Sequence, residues 1–404
     1  MDFQSKTTQA EGKIPHPSIC LEIIPELPDV ALIYIFKKCD IKTLGRICRA
    51  CKRFRDLVKL DAVWFRFSRY LLKLNSCDIG SKRCSLPLFQ QYRLGHNWEE
   101  KKCCQVVLSK NNTRLIPWMQ YNQNVLWISG KNGIRSFDVR ETGRPRERKG
   151  KRLQLPNRHD VTRFVVKDNI LLSGCRDGSV YAFDTSNGQC IQTLYKLHDT
   201  DAQAVDFHGD YIVSGSRDKT VKVTSVTGTG DQDCGPIKAV LNLRERVWSL
   251  ALAQGGRNVA IGTAGCRGAP SLSVWNVERQ GQTHVLGDYR YGAGVLDVRF
   301  EDDNTLLSCG YDACLRLWDL RTSTCVSEWA EPYDATVYCL QTDCNVAMVT
   351  GTAQHSMVRL WDKRSTQPVQ EYFLSQKSPV YSVAFDSRRL FAALDLNTSY
   401  LDFS

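Results

Sequence analysis

The chain has 404 residues, 42% of them hydrophobic, and a formal net charge of +11, which leaves room for one large core and a small module. No charged start with an apolar core follows Met1, and no apolar stretch approaches the roughly 18 residues of a membrane span. We therefore expect neither secretion nor membrane insertion. The 17 cysteines are then expected to be small buried hydrophobic residues in a reducing cytosol or nucleus.

A disordered tail is predicted for residues 1–22, and residues 23–68 then show the periodicity of short helices. Apolar residues recur three and four positions apart, as at Leu32 and Ile35. Pro28 suits the first turn of a helix, and a later Asp, in KKCDIK, is a predicted N-cap of the second helix. The segment is therefore a predicted all-α module.

The segment from Leu27 to Trp64 has five features in a fixed order: a Leu-Pro start, an apolar helix, a polar break, a helix rich in Leu, Cys and Arg, and a terminal Trp. This order resembles the F-box, although Val30 replaces a frequent acidic residue and Phe54 a frequent Trp. The resemblance implies a module that binds Skp1 and so joins a cullin-RING ubiquitin ligase. The residues expected to bind Skp1 are Leu27, Pro28, Leu32, Ile35, Phe36, Leu44, Ile47 and Cys48.

Two other interpretations of this module exist. It could be a small bundle that packs on the rest of the protein, but its apolar residues exceed what about forty residues can bury internally. Cys48 and Cys51 could suggest zinc, yet no second Cys/His pair lies at suitable spacing and both fall on a predicted helix. We predict a partner surface and no metal.

Residues 69–102 are predicted to form a helical linker. The stretches 69–74 and 89–93 look helical around an interruption that contains Gly80 and Pro87. In a ligase receptor such a spacer sets the distance between the bound substrate and the ubiquitin-loaded enzyme.

From residue 103 onward one pattern recurs: an apolar pair, a Gly/Ser step, a turn Asp or Asn, alternating apolar residues, then an aromatic and a polar residue. DACLRLWDL and SMVRLWDKR are the clearest copies. The spacing of 40 to 51 residues is close to the period of a four-stranded propeller blade, and the alternation predicts strands. Seven copies end at Asp138, Asp184, Ser225, Asn276, Asp319, Asp362 and Asp402.

These copies resemble the WD40 repeat, least so in the third, where Thr224 and Ser225 replace Trp-Asp. The resemblance implies an all-β, seven-bladed propeller over residues 103–404. Because the last copy ends after the third strand of its blade, one sheet edge would stay unpaired. We expect the run at 104–109 to complete that blade by pairing with the strand that contains Tyr400.

A small all-α F-box module followed by such a propeller resembles the F-box/WD-repeat substrate receptors, most of all their dactylin branch. The resemblance implies a non-catalytic, cytoplasmic or nuclear subunit of a Skp1–cullin–F-box (SCF) ubiquitin ligase, without a cofactor, that presents a protein substrate. The alternative is a propeller scaffold in a nuclear or RNA-associated complex, with another partner at its helical N-terminus.

Two sets of residues have the types of a hydrolase triad. Because the sets recur from blade to blade, and because a buried Asp needs hydrogen-bond partners, we interpret them as structural ties. No nucleotide-binding glycine loop is present, so no catalytic residue is predicted. The sets are His159, Ser173 and Asp177, and His198, Ser214 and Asp218.

Residues 144–152 contain six basic side chains in nine. A nuclear localisation signal and a nucleic-acid patch are two possible functions. The run follows the first repeat end and covers an outer strand, where exposed charge prevents edge pairing, so a solvated edge is the favoured interpretation. No RNP-like aromatic motif supports RNA binding.

Arg176 and Arg217 each precede the turn Asp of their blade, and Tyr311 has the same position in the fifth. In WD40 receptors that read phosphodegrons, Arg at this register grips phosphate through its planar fork. With Arg163 and Arg246 near the starts of inner strands, they form a predicted basic rim for an acidic or phosphorylated substrate. Pairing of each Arg with Asp, or simple hydration, is the alternative.

Overall fold

A computed structural model describes residues 26–68, 72, 74–75, 86–110, 116–130, 133–140, 143–148, 152–156, 159–225, 237–266, 268–375 and 377–404. The tail predicted for residues 1–22 lies outside these ranges. The protein divides into two compact units, Met1–Leu71 with Leu86–Tyr92, and Leu72–Ser85 with Arg93–Ser404. No helix in the described ranges is long and apolar enough to cross a membrane.

Short helices build the first unit. Pro28 directly precedes the first helix, and Asp40 caps the second by accepting a hydrogen bond from the Thr43 backbone N–H at 3.2 Å, as predicted. The helices are α1 (Asp29–Phe36), α2 (Ile41–Ala50), α3 (Lys52–Val58), α4 (Asp61–Trp64), a 3-10 turn (Phe65–Phe67) and α5 (Leu88–Glu99), which belongs to the second unit from Arg93 onward.

The apolar faces of these helices meet in a small core. Leu32 and Phe36 of α1 are buried in it. Trp64 is buried too, and its indole N–H donates to the Val58 carbonyl at 2.7 Å. Phe54, at the position where an F-box often has Trp, packs edge to face on Phe36 with 5.6 Å between ring centroids. An aromatic pair thus fills that part of the core.

The segment predicted as a linker is divided between the two units. The helix predicted at 69–74 lies largely outside the described residues. Leu72 and Leu74, which are described, are not helical and are buried in the core of the second unit. The helix predicted at 89–93 lies within α5.

The second unit is a ring of seven antiparallel sheets, the predicted seven-bladed propeller. Each sheet runs outward from the first strand of a repeat. The strand β1 (Cys104–Lys110) precedes the first sheet. Sheets one to three contain β2 (Met119–Asn122), β3 (Val125–Gly130), β4 (Gly133–Asp138), β5 (Arg146–Glu147) and β6 (Leu153–Gln154); β7 (Val161–Lys167), β8 (Ile170–Cys175), β9 (Val180–Asp184) and β10 (Cys190–Leu194); and β11 (Ala202–His208), β12 (Tyr211–Ser216), β13 (Thr220–Ser225) and β14 (Ile237–Asn242).

The remaining four sheets follow the same order. Sheets four to seven contain β15 (Val247–Leu252), β16 (Asn258–Thr263), β17 (Leu272–Asn276) and β18 (Gly281–Val285); β19 (Val295–Phe300), β20 (Thr305–Gly310), β21 (Cys314–Asp319) and β22 (Thr324–Ala330); β23 (Val337–Thr342), β24 (Ala347–Thr352), β25 (Met357–Asp362) and β26 (Pro368–Phe373); and β27 (Ser382–Phe385), β28 (Arg389–Ala393) and β29 (Asn397–Asp402).

The seventh sheet takes its outer strand from the start of the propeller. β1 pairs antiparallel with β29, with Val106 opposite Tyr400, and an irregularity in register falls between Val107 and Ser109. Pairing satisfies the backbone groups along an edge that would otherwise be open. The two ends of the propeller segment therefore hold each other in place.

Tryptophans of the repeats tie neighbouring strands by one hydrogen bond. In the fifth sheet the Trp318 indole N–H donates to the Ser308 hydroxyl at 2.8 Å, and in the sixth Trp361 donates to Thr350 at 2.9 Å. The third sheet has Thr224 in place of Trp, and its hydroxyl is buried without a partner in the described residues. That sheet is held by a different network, described below.

Candidate functional site

One backbone hydrogen bond repeats around the propeller at the turns between second and third strands. In sheets two to six, the N–H of the first residue after the second strand donates to the carbonyl of the residue before the first strand, at 2.8 to 3.2 Å. Arg176, Arg217 and Tyr311 therefore occupy one register. The donors are Arg176, Arg217, Ala264, Tyr311 and Ala353, and the acceptors are Asp160, Asp201, Arg246, Gly294 and Thr336.

A cavity of about 310 Å³ opens at this end of the central channel. Of the predicted rim residues, Arg163, Arg176, Arg217 and Tyr311 line it, and Arg246 does not. The first strands, or the residues just before them, supply much of the remaining wall. Sheets two to seven each contribute at least one such residue: Val161 and Thr162, Asp201 and Gln203, Trp248, Leu296, Tyr338 and Tyr381.

β-Bulges position these wall residues. In sheets three to six the pairing between the first and second strands skips one residue near the start of the first strand. An extra residue at a bulge re-aims a side chain out of the regular alternation. The skipped residues are all wall residues of the cavity: Gln203, Trp248, Leu296 and Tyr338.

Aromatic side chains form much of this wall, and of these only Tyr311 is among the predicted rim residues. Tyr338 and Tyr381 stack with 5.8 Å between ring centroids. Burial raises the pKa of Tyr311, and burial with a hydrogen bond to Asp395 raises the pKa of Tyr381, so both phenols are neutral at neutral pH. A Val followed by an aromatic residue at the start of three repeats, as in Val247-Trp248, is the signal that points to them.

Arg163 ties opposite sides of the channel together. Its guanidinium donates to the Leu296 carbonyl at 2.8 Å, lies 3.4 Å from the Asp297 carboxylate and covers the Trp118 ring at 4.3 Å. Burial lowers the pKa of Arg163, and Asp297 opposes that shift. The side chain predicted for the rim is therefore largely committed to contacts within the protein.

The two register arginines differ in their surroundings. Arg217 lies 3.2 Å from the Asp201 carboxylate, which precedes its own blade, and 6.0 Å from the Trp248 ring. The Arg176 side chain is exposed and has no hydrogen bond or ion pair with the described residues. Arg246 is exposed and does not line the cavity, although its backbone carbonyl accepts the register hydrogen bond of the fourth sheet.

Part of the basic run at 144–152 lies at a sheet edge. Arg146 is exposed in the short outer strand β5, and Arg148 forms an ion pair with Asp138 at the end of β4. Lys149 and Lys151 fall outside the described residues. The described part of the run therefore sits on the outer rim of the first sheet.

The first unit exposes apolar side chains on α1. Val30 is 79% exposed, Tyr34 65% and Ile35 45%. Val30 and Tyr34 are four residues apart and so share one helix face. Phe65, after α4, is exposed as well. Exposed apolar residues grouped on one element mark interaction surfaces more often than residues scattered singly.

Known proteins match this sequence at both units. The F-box-like family model matches residues 24–70, and the model of the WD domain, G-beta repeat, matches residues 188–225 and 282–319. F-box/WD repeat-containing protein 4 of Mus musculus is 35% identical over 385 residues, 93% of this chain and 92% of that protein. The chain belongs to the F-box/WD-repeat family.

Further relatives are consistent with this assignment. F-box/WD repeat-containing protein 4 of Homo sapiens is 34% identical over 384 residues, with the same shares of both proteins. F-box/WD repeat-containing protein 4 is dactylin, so the predicted resemblance to the dactylin branch is confirmed. Nuclear distribution protein PAC1 of Candida glabrata is 24% identical over 236 residues, 46% of this chain and 47% of that protein.

The F-box residues predicted to bind Skp1 fall into three groups by burial. Leu32, Phe36 and Leu44 are buried in the F-box core. They support the module from inside. Pro28 and Ile35 are exposed, while the others are partly buried against that core: Leu27, Ile47 and Cys48.

The WD repeats use the second His/Ser/Asp set as a buried tie in the third sheet. His198 is 1% exposed; its Nδ1 lies 2.9 Å from the Asp218 carboxylate and its Nε2 2.8 Å from the Ser214 hydroxyl. Burial raises the pKa of Asp218, but hydrogen bonds from His198 and Thr220 prevail and hold it well below its ordinary value. A substrate has no access to a ring this deeply buried.

The other set is looser. His159 is half exposed and lies 3.6 Å from the Asp177 carboxylate, and the buried Ser173 donates to the Tyr181 carbonyl. The Asp177 carboxylate accepts hydrogen bonds from the backbone N–H of Ser179 at 3.1 Å and from the hydroxyl of Ser179 at 2.9 Å. These residues bind strands of the second sheet and do not form a nucleophile–base pair.

Asp218→Ala is expected to lower the free energy of unfolding by about 3 kcal/mol, because His198 and Thr220 lose a charged acceptor in a buried site. Because the pKa of Asp218 in the folded protein is low, its contribution to the free energy of unfolding is fully present above the ordinary carboxyl pKa. That contribution is lost as the pH falls below the ordinary carboxyl pKa and towards the lower pKa of the folded protein. Urea denaturation at neutral pH measures the loss. Asp210→Ala, at an exposed turn of the same sheet, should change stability by less than about 0.5 kcal/mol, and equal effects would contradict the assigned tie.

Proposed function

We propose that this protein is the substrate-recognition subunit of an SCF ubiquitin ligase. Its F-box binds Skp1, its propeller binds the protein substrate, and the subunit itself is not catalytic. The observation that carries the proposal is the pairing in one polypeptide of an F-box with an exposed apolar helix and a propeller with a lined cavity. Family membership supports the same function.

The proposed binding of Skp1 is argued from the exposed apolar residues of α1. The core beneath α1 is already filled by Leu32 and Phe36, and Val30, Tyr34 and Ile35 stay exposed among the described residues, so a partner that covers α1 would bury them. Fully burying an apolar side chain of this size contributes about 1.5–3 kcal/mol. Three such residues on one short helix favour a stable protein partner over a merely solvated surface.

The substrate side rests on the cavity at the channel mouth. The cationic side chains of Arg176 and Arg217 line this cavity. Hydrogen bonds from Arg to a charged acceptor contribute roughly 1.5–3 kcal/mol each. The protein has a net charge of +11, which also favours an anionic ligand. We therefore propose an acidic or phosphorylated recognition element in the substrate.

Affinity purification of the intact protein, followed by identification of its partners, tests the proposed function. Recovery of Skp1 and a cullin in stoichiometric amounts is the expected result. A set of stable partners without Skp1 would favour the alternative, a propeller scaffold in another complex.

Arg176→Glu combined with Arg217→Glu should remove the substrates from the purified complex while Skp1 remains bound. The reason is that two cationic donors at the cavity become repulsive to an acidic ligand. Quantitative mass spectrometry of bound proteins measures both. Substrate binding by the unchanged protein should also weaken as salt rises.

A charge-matched control separates this site from the overall charge of the protein. Arg279, in a turn of the fourth sheet, and Arg290, in the loop between the fourth and fifth sheets, are exposed and do not line the cavity. Changing both to Glu alters the net charge equally and should leave the substrates bound. Retention of substrates by the Arg176/Arg217 variant would place the substrate site elsewhere on the propeller.

A further inference from the structure

Arg176 offers the ligand of the cavity an unpaired guanidinium. Among the described residues its side chain has no hydrogen bond or ion pair, whereas Arg163 is tied to Asp297 and Arg217 faces Asp201. A guanidinium presents a planar fork that holds a carboxylate through two parallel hydrogen bonds. The cavity therefore has one fork ready for one small anion.

Asp201 limits the charge that this anion can carry. Its carboxylate lines the same cavity, so any anion bound there is near a fixed negative charge. Asp201 also pairs with Arg217, so Arg176 is the one cationic side chain without an ion pair among the described residues that line the cavity. A carboxylate has one charge and two oxygens, which a single guanidinium fork pairs in full. A phosphate monoester carries about −1.5 to −2 at neutral pH, so part of its charge would lose its hydration without gaining a cationic partner. The cavity thus favours the singly charged group.

The remaining wall selects for an apolar group beside the anion. Trp248, Tyr311, Tyr338 and Tyr381 line the cavity together with the buried Trp118. A volume of about 310 Å³ is at the small end of the roughly 300–1,000 Å³ of ligand sites, so one or two side chains fill it. Aromatic walls of this kind favour aromatic or large aliphatic groups.

We propose that the cavity binds a peptide element made of one aromatic or large apolar side chain beside one carboxylate, in preference to a phosphorylated element. The apolar group packs among the aromatic wall residues, and the carboxylate accepts hydrogen bonds from Arg176. The inference rests on the proposed function in that the peptide belongs to a substrate. The carboxylate comes from the side group of an Asp or Glu or from the C-terminus of the substrate.

Fluorescence polarisation of labelled hexapeptides on the intact protein tests the proposal. In one arm a Trp, Tyr, Phe, Leu or Gly is followed by Glu, Gln or phosphoserine within a capped Gly/Ser peptide. In a second arm the same residue stands last, with a free carboxylate or an amide. We expect binding of apolar–Glu or apolar–carboxylate peptides, at least about tenfold tighter than their Gln, amide or Gly counterparts.

Variants assign the binding to the cavity. Arg176→Gln should weaken the carboxylate peptide about tenfold or more and leave the weak binding of its neutral counterpart unchanged. Tyr311→Ala, at a partly exposed position, should weaken the apolar peptides and leave the melting temperature unchanged. Arg279→Gln removes an exposed charge outside the cavity and should have no effect.

The outcomes separate this inference from the proposed function. Preference for Glu supports an internal acidic residue, and preference for the free C-terminus supports a terminal carboxylate. Tighter binding of phosphoserine, indifference to the apolar residue, or no binding by any carboxylate peptide would overturn the inference. Skp1 binding by the same protein does not depend on which peptide the cavity binds. Absence of Skp1 binding would therefore count against the proposed function alone.

Discussion

Removal of residues 400–404 is expected to lower the melting temperature of the propeller by more than about 10 °C. The segment contains Tyr400 and Phe403, both buried, and the Phe403 ring stacks on Trp98 with 4.0 Å between centroids. Truncating one buried Phe costs about 3–5 kcal/mol, and each kcal/mol shifts the melting temperature of a large domain by roughly 2–4 °C. The deletion also removes partners of β1 and so opens the seventh sheet.

Differential scanning calorimetry of the full and the truncated protein measures this effect. Deleting Ser404 alone is the control, because its side chain is exposed and it lies beyond the last pair of β29. Phe403→Leu keeps an apolar group and should fall between the two. A truncated protein that melts within about 2 °C of the full one would mean that β29 does not close the ring.

The repeats predict the propeller well because each repeat encodes its own sheet. Alternating apolar residues give strands, and the spacing of the repeat ends gives one sheet each. The third repeat has the weakest resemblance, since Thr224 replaces Trp, yet residues 188–225 match the WD repeat model. There His198 and Asp218 replace the Trp hydrogen bond as the tie between strands.

The cavity could be predicted only in part. Arg176, Arg217 and Tyr311 hold the same position in the turns of three different blades, so their common register follows from sequence spacing alone. The aromatic wall depends on bulges that break the alternation, as at Trp248, and a single sequence gives no direct sign of a bulge. The contact of Arg163 with Asp297 joins residues 134 positions apart across the channel, and no local pattern predicts such a pair.

The F-box shows a different limit. Periodicity identifies the apolar face of a helix, but it does not say whether that face meets the core of the module or a partner. Leu32 and Phe36 turn inward, whereas Ile35, between them in the sequence, is 45% exposed. The exposed apolar surface is therefore narrower than the sequence suggests, and it includes Val30 and Tyr34, which are not in the predicted set.

Ile35→Asp should weaken Skp1 binding by about 100-fold or more. An unpaired charge buried at an interface costs about 3–5 kcal/mol, and each 1.4 kcal/mol is a factor of ten in affinity. The F-box should stay folded, because Ile35 already lies at its surface. Isothermal titration calorimetry with purified Skp1 gives the affinity, and thermal melting checks the fold.

Two further variants make that experiment specific. Val326→Asp places the same charge on an exposed Val of the propeller strand β22 and should bind Skp1 as the unchanged protein does. Leu44→Asp puts the charge into the F-box core and should unfold the module, which circular dichroism distinguishes from a surface effect. Unchanged affinity of the Ile35 variant would remove α1 from the interface.

Direct titration of the unchanged protein with purified Skp1 tests the central claim most closely. Saturable binding in a one-to-one complex, confirmed by analytical ultracentrifugation, is the result expected of an SCF substrate receptor. A protein whose F-box melts cooperatively, and is therefore folded, yet forms no complex with Skp1 at any concentration reached would contradict it.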